Sequence, residues 1–120
     1  MSAGIHNIIV EQGATFNQTY TWKINSNAVN LSSYTARLQV RGNGSGKTWI
    51  QDQVISLTSD VNGGIVLGGA AGTIAVSISA TATTAILPGK YFYDLELQSD
   101  NGTVTRLLKG TCTVSAEVTR

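Results

Sequence analysis

The stretch Leu87-Pro88-Gly89-Lys90-Tyr91-Phe92-Tyr93-Asp94-Leu95-Glu96-Leu97 constrains the fold more tightly than any other part of this 120-residue sequence. After a Pro-Gly turn signal, Tyr91, Tyr93, Leu95 and Leu97 fall on one parity, and Phe92, Asp94, Glu96 and Gln98 on the other. That is the period of a strand with one dry and one wet face. The stretch reads as a central core strand, and the other segments have to be arranged around it.

Taken in order, Ile5-His6-Asn7-Ile8-Ile9-Val10 is a short β-prone run, and Gly13 permits a bend after it. Residues 1–14 read as an N-terminal arm or edge strand, and residues 15–120 as a β-sandwich domain. Phe16, Tyr20, Trp22 and Ile24 share an inner parity, opposite Thr15, Asn17, Thr19, Thr21 and Lys23, and Asn25-Ser26-Asn27 turns the chain. Tyr34, Ala36, Leu38 and Val40 then alternate with Thr35, Arg37, Gln39 and Arg41. Between Lys47 and Leu57 the parity of Trp49, Ile55 and Leu57 is broken by Ile50 and Val54, which predicts a bulge near Gln51 to Gln53. Asp60-Val61-Asn62-Gly63-Gly64 predicts a hairpin, because Asn-Gly accepts the positive φ angles of a tight turn.

Ile65-Val66-Leu67 forms a short strand, and Ile74, Val76 and Ile78 mark another. Ser79 to Leu87 holds a helical turn that Ser79 can cap and Pro88-Gly89 ends. Beyond the core strand, Ser99-Asp100-Asn101-Gly102 predicts a second Asn-Gly hairpin. The last strand runs from Thr103 to Val118, with Val104, Leu108, Gly110, Cys112, Val114, Ala116 and Val118 facing one way. Thr103, Thr105, Lys109, Thr111, Thr113 and Glu117 face the other.

Seven to nine short strands with one brief helical link predict an all-β, immunoglobulin-like two-sheet antiparallel sandwich, with a small β-barrel as the rival fold. Tyr91 or Tyr93 stands where such sandwiches place a corner tyrosine. Thirteen glycines and one proline suit many short strands and tight turns, and the length suits one domain that needs no metal or disulfide.

The function classes narrow by elimination. Eight Lys and Arg against seven Asp and Glu leave no net field to gather nucleic acid, anionic lipid or an acidic substrate. No apolar run approaches the ~20 residues of a membrane span. The opening lacks the pattern of a secretion signal, and the single Cys112 cannot form an internal disulfide, so synthesis and folding in a reducing cytosol are expected. Gly42-Asn43-Gly44-Ser45-Gly46-Lys47-Thr48 ends like a phosphate-binding loop, yet Arg41 stands where its first glycine belongs and a strand follows instead of a helix. His6 is the only imidazole and has no partners for a triad or a metal site. Asp94 and Glu96 share a wet face and read as solvated charges. Arg37, Arg41 and Trp49 are too few for a nucleic-acid face. Trp22 has the inner parity, so Trp49 alone could serve a sugar platform. No enzyme activity, cofactor, metal or small-molecule substrate is expected, and a glycan-binding module is the alternative to a structural role.

Four segments carry a resemblance as a set. They are Gln12-Gly13-Ala14-Thr15-Phe16, the run from Leu31 to Arg41, Gly89 to Leu97, and the close from Gly110 to Arg120. Together they resemble small virion proteins of tailed bacteriophages and prophages, and more distantly the N-terminal domain family of phage upper baseplate proteins. The resemblance implies an immunoglobulin-like module made in the host bacterial cytoplasm and built into the virion at the tail, baseplate, neck or capsid surface. It implies other phage virion proteins as partners and a homo-oligomeric or multi-copy arrangement. The sequence departs from the family pattern by stopping at Arg120, without a downstream shaft or receptor domain. Ile5, Ile8, Ile9 and Val10, with Trp49, are apolar outside the main alternating strands and are the expected contacts to a neighbouring subunit, docking by strand addition.

Overall fold

The computed structural model describes residues 4–42 and 52–118. Its strands are β1 (Gly4–Ile5), β2 (Ile8–Glu11), β3 (Phe16–Thr21), β4 (Lys23–Ile24), β5 (Asn27–Ala28), β6 (Thr35–Gly42), β7 (Asp52–Thr58), β8 (Ile65–Leu67), β9 (Thr73–Ile78), β10 (Gly89–Gln98) and β11 (Val104–Ser115). A 3-10 turn, Gly69–Ala71, joins β8 to β9, and a short helix α1 (Ala80–Thr84) precedes β10. Ser79 caps α1 by accepting from the Ala82 amide at 3.2 Å.

The alternation in β10 decides the architecture. With Tyr93, Leu95 and Leu97 buried on one side, the strand takes β6 on one edge and β11 on the other, both antiparallel. β7 extends the sheet beyond β6, and β1 and β2 extend it beyond β11, giving the path β1-β11-β10-β6-β7 with β2 also on β11. A second sheet, β3-β9-β8, covers it. Leu38, Val40, Leu95, Leu97 and Val114 from the large sheet meet Ile65, Ile74, Val76 and Ile78 from the small one. Full burial of each is worth ~1.5–3 kcal/mol. Leu31 and Trp22 close one end, the indole lying edge-on to Tyr34 with centroids 5.8 Å apart.

This is an immunoglobulin-like two-sheet sandwich, with the extra strand β7 beside the β6-β10-β11 sheet as in variable-type domains. An isolated bridge between Thr58 and Gly64 joins the large sheet's last strand to the turn that follows it, and among the described residues the sheets do not close into the alternative barrel. Tyr91 supplies the corner: its hydroxyl donates to the Leu87 carbonyl, 2.7 Å away and four residues back. Tyr93 points into the core instead.

The structure departs from the sequence expectations at several places, among them the last strand, which ends at Ser115 and leaves Val118 exposed. The Asp60–Gly64 turn forms, with Gly63 N donating to Asp60 O at 2.8 Å and Asn62 at φ 63. It does not close a hairpin, because β7 and β8 belong to different sheets and the turn carries the chain across the core. The irregularity in β7 falls at Val54: Val40 pairs with Ile55 and Arg41 with Gln53, leaving Val54 over and exposed. In β11, Leu95 pairs with Leu108 and Glu96 with Arg106, so Leu107 is an extra residue. That bulge lets Leu107 and Leu108 both pack on the core and turns Val104 outward, against its expected parity. Ile24 is also exposed, since the small β4–β5 hairpin leaves the sandwich after Trp22.

The N-terminal residues run alongside β11 in a parallel register, Gly4 opposite Leu108, Ile5 opposite Lys109 and Ile8 opposite Cys112. Between the two paired stretches, the Asn7 side chain takes the Thr111 amide at 3.0 Å, and the His6 amide donates to Lys109 O at 2.9 Å. Gly110 makes this approach possible, because a Cβ there would collide with the His6 carbonyl and stand 2.8 Å from Asn7 Oδ1. The chain then bends at Gly13, φ 86, to enter the second sheet. Thr83, fully buried in α1, fixes the bend by accepting from Gly13 N at 3.1 Å and donating to Ala14 O at 2.9 Å.

Candidate interaction face

The parity that sends Tyr93, Leu95 and Leu97 inward puts Phe92, Asp94 and Glu96 on the outer face of the large sheet. Strand pairing then sets their neighbours. One row reads Arg41, Phe92, Thr111; the next Gln39, Asp94, Lys109 and Ile5; the third Arg37, Glu96 and Arg106. These residues and Asn7 line a shallow concavity of about 750 Å³.

The charges form stripes along the strands, with cations on β6, carboxylates on β10 and cations on β11. Arg37 Nε meets Glu96 Oε1 at 2.8 Å, and Arg106 Nε lies 3.3 Å from Asp94 Oδ2 and 4.0 Å from Glu96 Oε2. Arg41 donates to Gln39 Oε1 from Nε at 3.1 Å and from Nη2 at 2.8 Å. Burial raises the pKa of Asp94 above its ordinary 3.8, and repulsion from Glu96 adds to this. Arg106, Arg37 and Arg41 pull the other way and offset only part of the shift. The two carboxylates are thus tied to arginines on an open face.

The expected contact residues separate. Ile8 and Val10 are 6% and 1% exposed and pack in the chain's own core, since the parallel pairing with Cys112 and Val114 turns both inward; they leave the contact set. Ile5 and Ile9, on the opposite parity, are 76% and 67% exposed. Trp49, and the glycine-rich loop from Asn43 to Thr48, lie outside the described residues. The platform reading that rests on Trp49 therefore gains no observation, while Trp22 is a core residue.

His6 serves the fold, its carbonyl accepting from the Tyr93 hydroxyl and its ring standing edge-on to Tyr20, with centroids 5.5 Å apart. Tyr20 and Tyr93, one from each sheet, influence one another's titration, and burial raises both phenol pKa values. Cys112 is buried, and burial pushes its thiol up to about 11, where it stays protonated at neutral pH and unreactive. Among the described residues, no three of His, Cys, Asp and Glu stand close enough to share a metal ion.

Sequence reasoning missed Phe92, Arg106 and Lys109 as members of one surface. Their signal was the wet parity of β10 and β11, but it becomes a site only once β6, β10 and β11 are known to be neighbours.

No family model matches the chain, and the comparison with curated proteins gives no match. Among solved structures it is similar to extracellular domains 3–5 of Drosophila OTK, at 18% identity and a TM-score of 0.40, over 96% of this chain and 34% of that one. The chain spans about a third of that structure's length.

Proposed function

We propose that the chain is a non-enzymatic structural component of a tailed phage particle, present in many copies and working by association with other virion proteins. The phage assignment rests on the four segments named above. The association rests on one observation: Ile5 and Ile9 lie outward on the sheet's edge strand, beside the concave face centred on Phe92. Scattered exposed apolar residues are ordinary, but two isoleucines facing outward on β1 and β2, along the same edge of the large sheet, give a partner two apolar contacts at the margin of this face. The edge strand also offers backbone groups for strand addition.

The test is direct. Particles released by the producing bacterium are purified on a density gradient and their proteins quantified by mass spectrometry. The chain is expected to band with the particles at a fixed ratio to the major virion proteins. Recovery only in the soluble fraction would sink the proposal.

A further inference from the structure

We propose that Asn101, at the tip of the β10–β11 hairpin, is a site of spontaneous deamidation. The reaction is intramolecular and consumes only water. The Gly102 nitrogen, once its proton has passed to solvent, attacks Asn101 Cγ. As the new C–N bond forms, the Cγ–Nδ2 bond breaks, and the side-chain nitrogen takes up a proton and leaves as ammonia. Water then opens the cyclic imide at either carbonyl, leaving an aspartate or an isoaspartate in the chain.

Two Asn-Gly pairs fall among the described residues, and the fold treats them differently. In both, the glycine amide is engaged in its turn: Gly63 N donates to Asp60 O at 2.8 Å and Gly102 N to Ser99 O at 3.0 Å. What differs is the room to move. A Cβ at Gly63 would stand 2.3 Å from Thr58 Oγ1 and 2.4 Å from the Thr58 carbonyl oxygen, and the Gly63 carbonyl takes the Thr58 amide at 2.9 Å. The next carbonyl, Gly64 O, takes the Ser77 amide at 2.8 Å, so this turn is pinned to both sheets. Around Gly102 the corresponding position has no atom within 4 Å, and Asn101 and Gly102 are both exposed. The backbone there can turn onto the side chain at the cost of one hydrogen bond that water replaces.

The side chain of Asn101 is also prepared as the electrophile. Thr103 N donates to Asn101 Oδ1 at 3.2 Å, and the Ser99 hydroxyl donates to the same oxygen. A backbone N–H only donates, so the atom it meets is the oxygen, which fixes the orientation of the amide. Two donors on Oδ1 draw charge from Cγ and stabilise the negative charge that the oxygen gathers as Gly102 N adds, the arrangement that holds an oxyanion in acyl transfer. Such bonds strengthen as their acceptor becomes charged. The left-handed φ of 90 at Gly102 favours a residue with no side chain to shield the attacking nitrogen.

The product differs in charge and in path. Either acid takes the formal net charge from +1 to zero. An isoaspartate routes the main chain through Cγ and adds one atom to a turn whose closing bond, Ser99 N to Thr103 O at 2.9 Å, fits the shorter path.

The experiment holds the full chain for weeks in mildly alkaline buffer, where the glycine amide loses its proton more readily, and follows it by digestion and mass spectrometry. Trypsin puts Asn62 and Asn101 in separate peptides, and Asn43-Gly44, outside the described residues, in a third. Isoaspartate is scored by fragmentation, since direct hydrolysis of the amide cannot give it. Asn101 is expected to convert faster than Asn62, with isoaspartate among its products. Ser99→Ala should slow the conversion about threefold to tenfold, the worth of one hydrogen bond. Ser99→Thr, which keeps the hydroxyl, should react at the parent rate. Conversion at Asn62 as fast as at Asn101, products free of isoaspartate, a Ser99→Ala chain that reacts at the parent rate or faster, or a Ser99→Thr chain as slow as Ser99→Ala overturns the proposal.

Discussion

At the scale of single residues, Thr83 does most to join the parts. Its hydroxyl serves the Gly13 amide and the Ala14 carbonyl at the point where the chain changes sheets, and it has no contact with solvent. Thr83→Val keeps the shape and strands both partners, and a buried unsatisfied group costs about 1–3 kcal/mol. A drop of that size in the chemical-unfolding free energy is expected, and an unchanged midpoint would show that water replaces the hydroxyl. The buried acids of the core set a pH limit. Folding raises Cys112 from 9.0 to about 11 and lifts Tyr20, Tyr91 and Tyr93 above 10.0, so the unfolded chain gives up these protons first. The resulting stability is whole below pH 9 and drains away as pH climbs, first through Cys112 and then, beyond 10, through the phenols. Unfolding midpoints should fall from pH 9 upward, and Cys112→Ala should move the onset toward pH 10. A flat profile to pH 11 contradicts this.

At the scale of elements, what the sequence made legible was whatever depends on near neighbours in the chain. The alternation of β10 and β6, the Ser79 cap, the Asn-Gly turn before β11 and the corner at Tyr91 all follow from residues within a few positions of one another. The β7 bulge showed as broken parity and was placed near Gln51 to Gln53, next to its actual seat at Val54, whereas the β11 bulge did not show, because Leu107 is extra only relative to its partner strand. Nor did the destination of β8, since Asn62-Gly63 specifies a reversal of the backbone and not the sheet that receives it. The N-terminal run shows the same limit: its apolar residues suggested contacts to another subunit, yet pairing with β11 takes Ile8 and Val10 into the core and leaves Ile5 and Ile9 outside. The candidate face was the least legible, being assembled from four strands. The seat of this strand gives its own prediction. Gly110→Val should push His6 and Asn7 off β11 and cost roughly 1–3 kcal/mol, the usual range for overpacking. Hydrogen exchange should quicken at Ile9 and Thr111 while β10 and β6 stay protected. Uniform loss of protection would mean that the strand is not a separable unit.

At the scale of the whole molecule, the surfaces divide the labour. The inner faces of the two sheets hold the sandwich together with aliphatic side chains, and nothing charged is buried there among the described residues. The outer face of the large sheet gathers the arginines and carboxylates into stripes. Exposed pairs such as Arg37–Glu96 add little to stability, typically well under 1 kcal/mol. Charge-altering changes on this face should therefore move binding far more than melting temperature, and a Lys109→Glu protein that melts several degrees lower would speak against so clean a separation.

The parallel pairing of the first strand with the last has a consequence for how the protein is made. Ile8 waits for Cys112 and Val10 for Val114, so these residues leave the ribosome with no seat until the roughly hundred residues between them and β11 have been translated. Contacts this distant along the chain are slow to form. The core is sealed late by a segment synthesised well before its partner, and a transcript cut short before β11 yields a product in which Ile8 and Val10 have lost the strand that seats them.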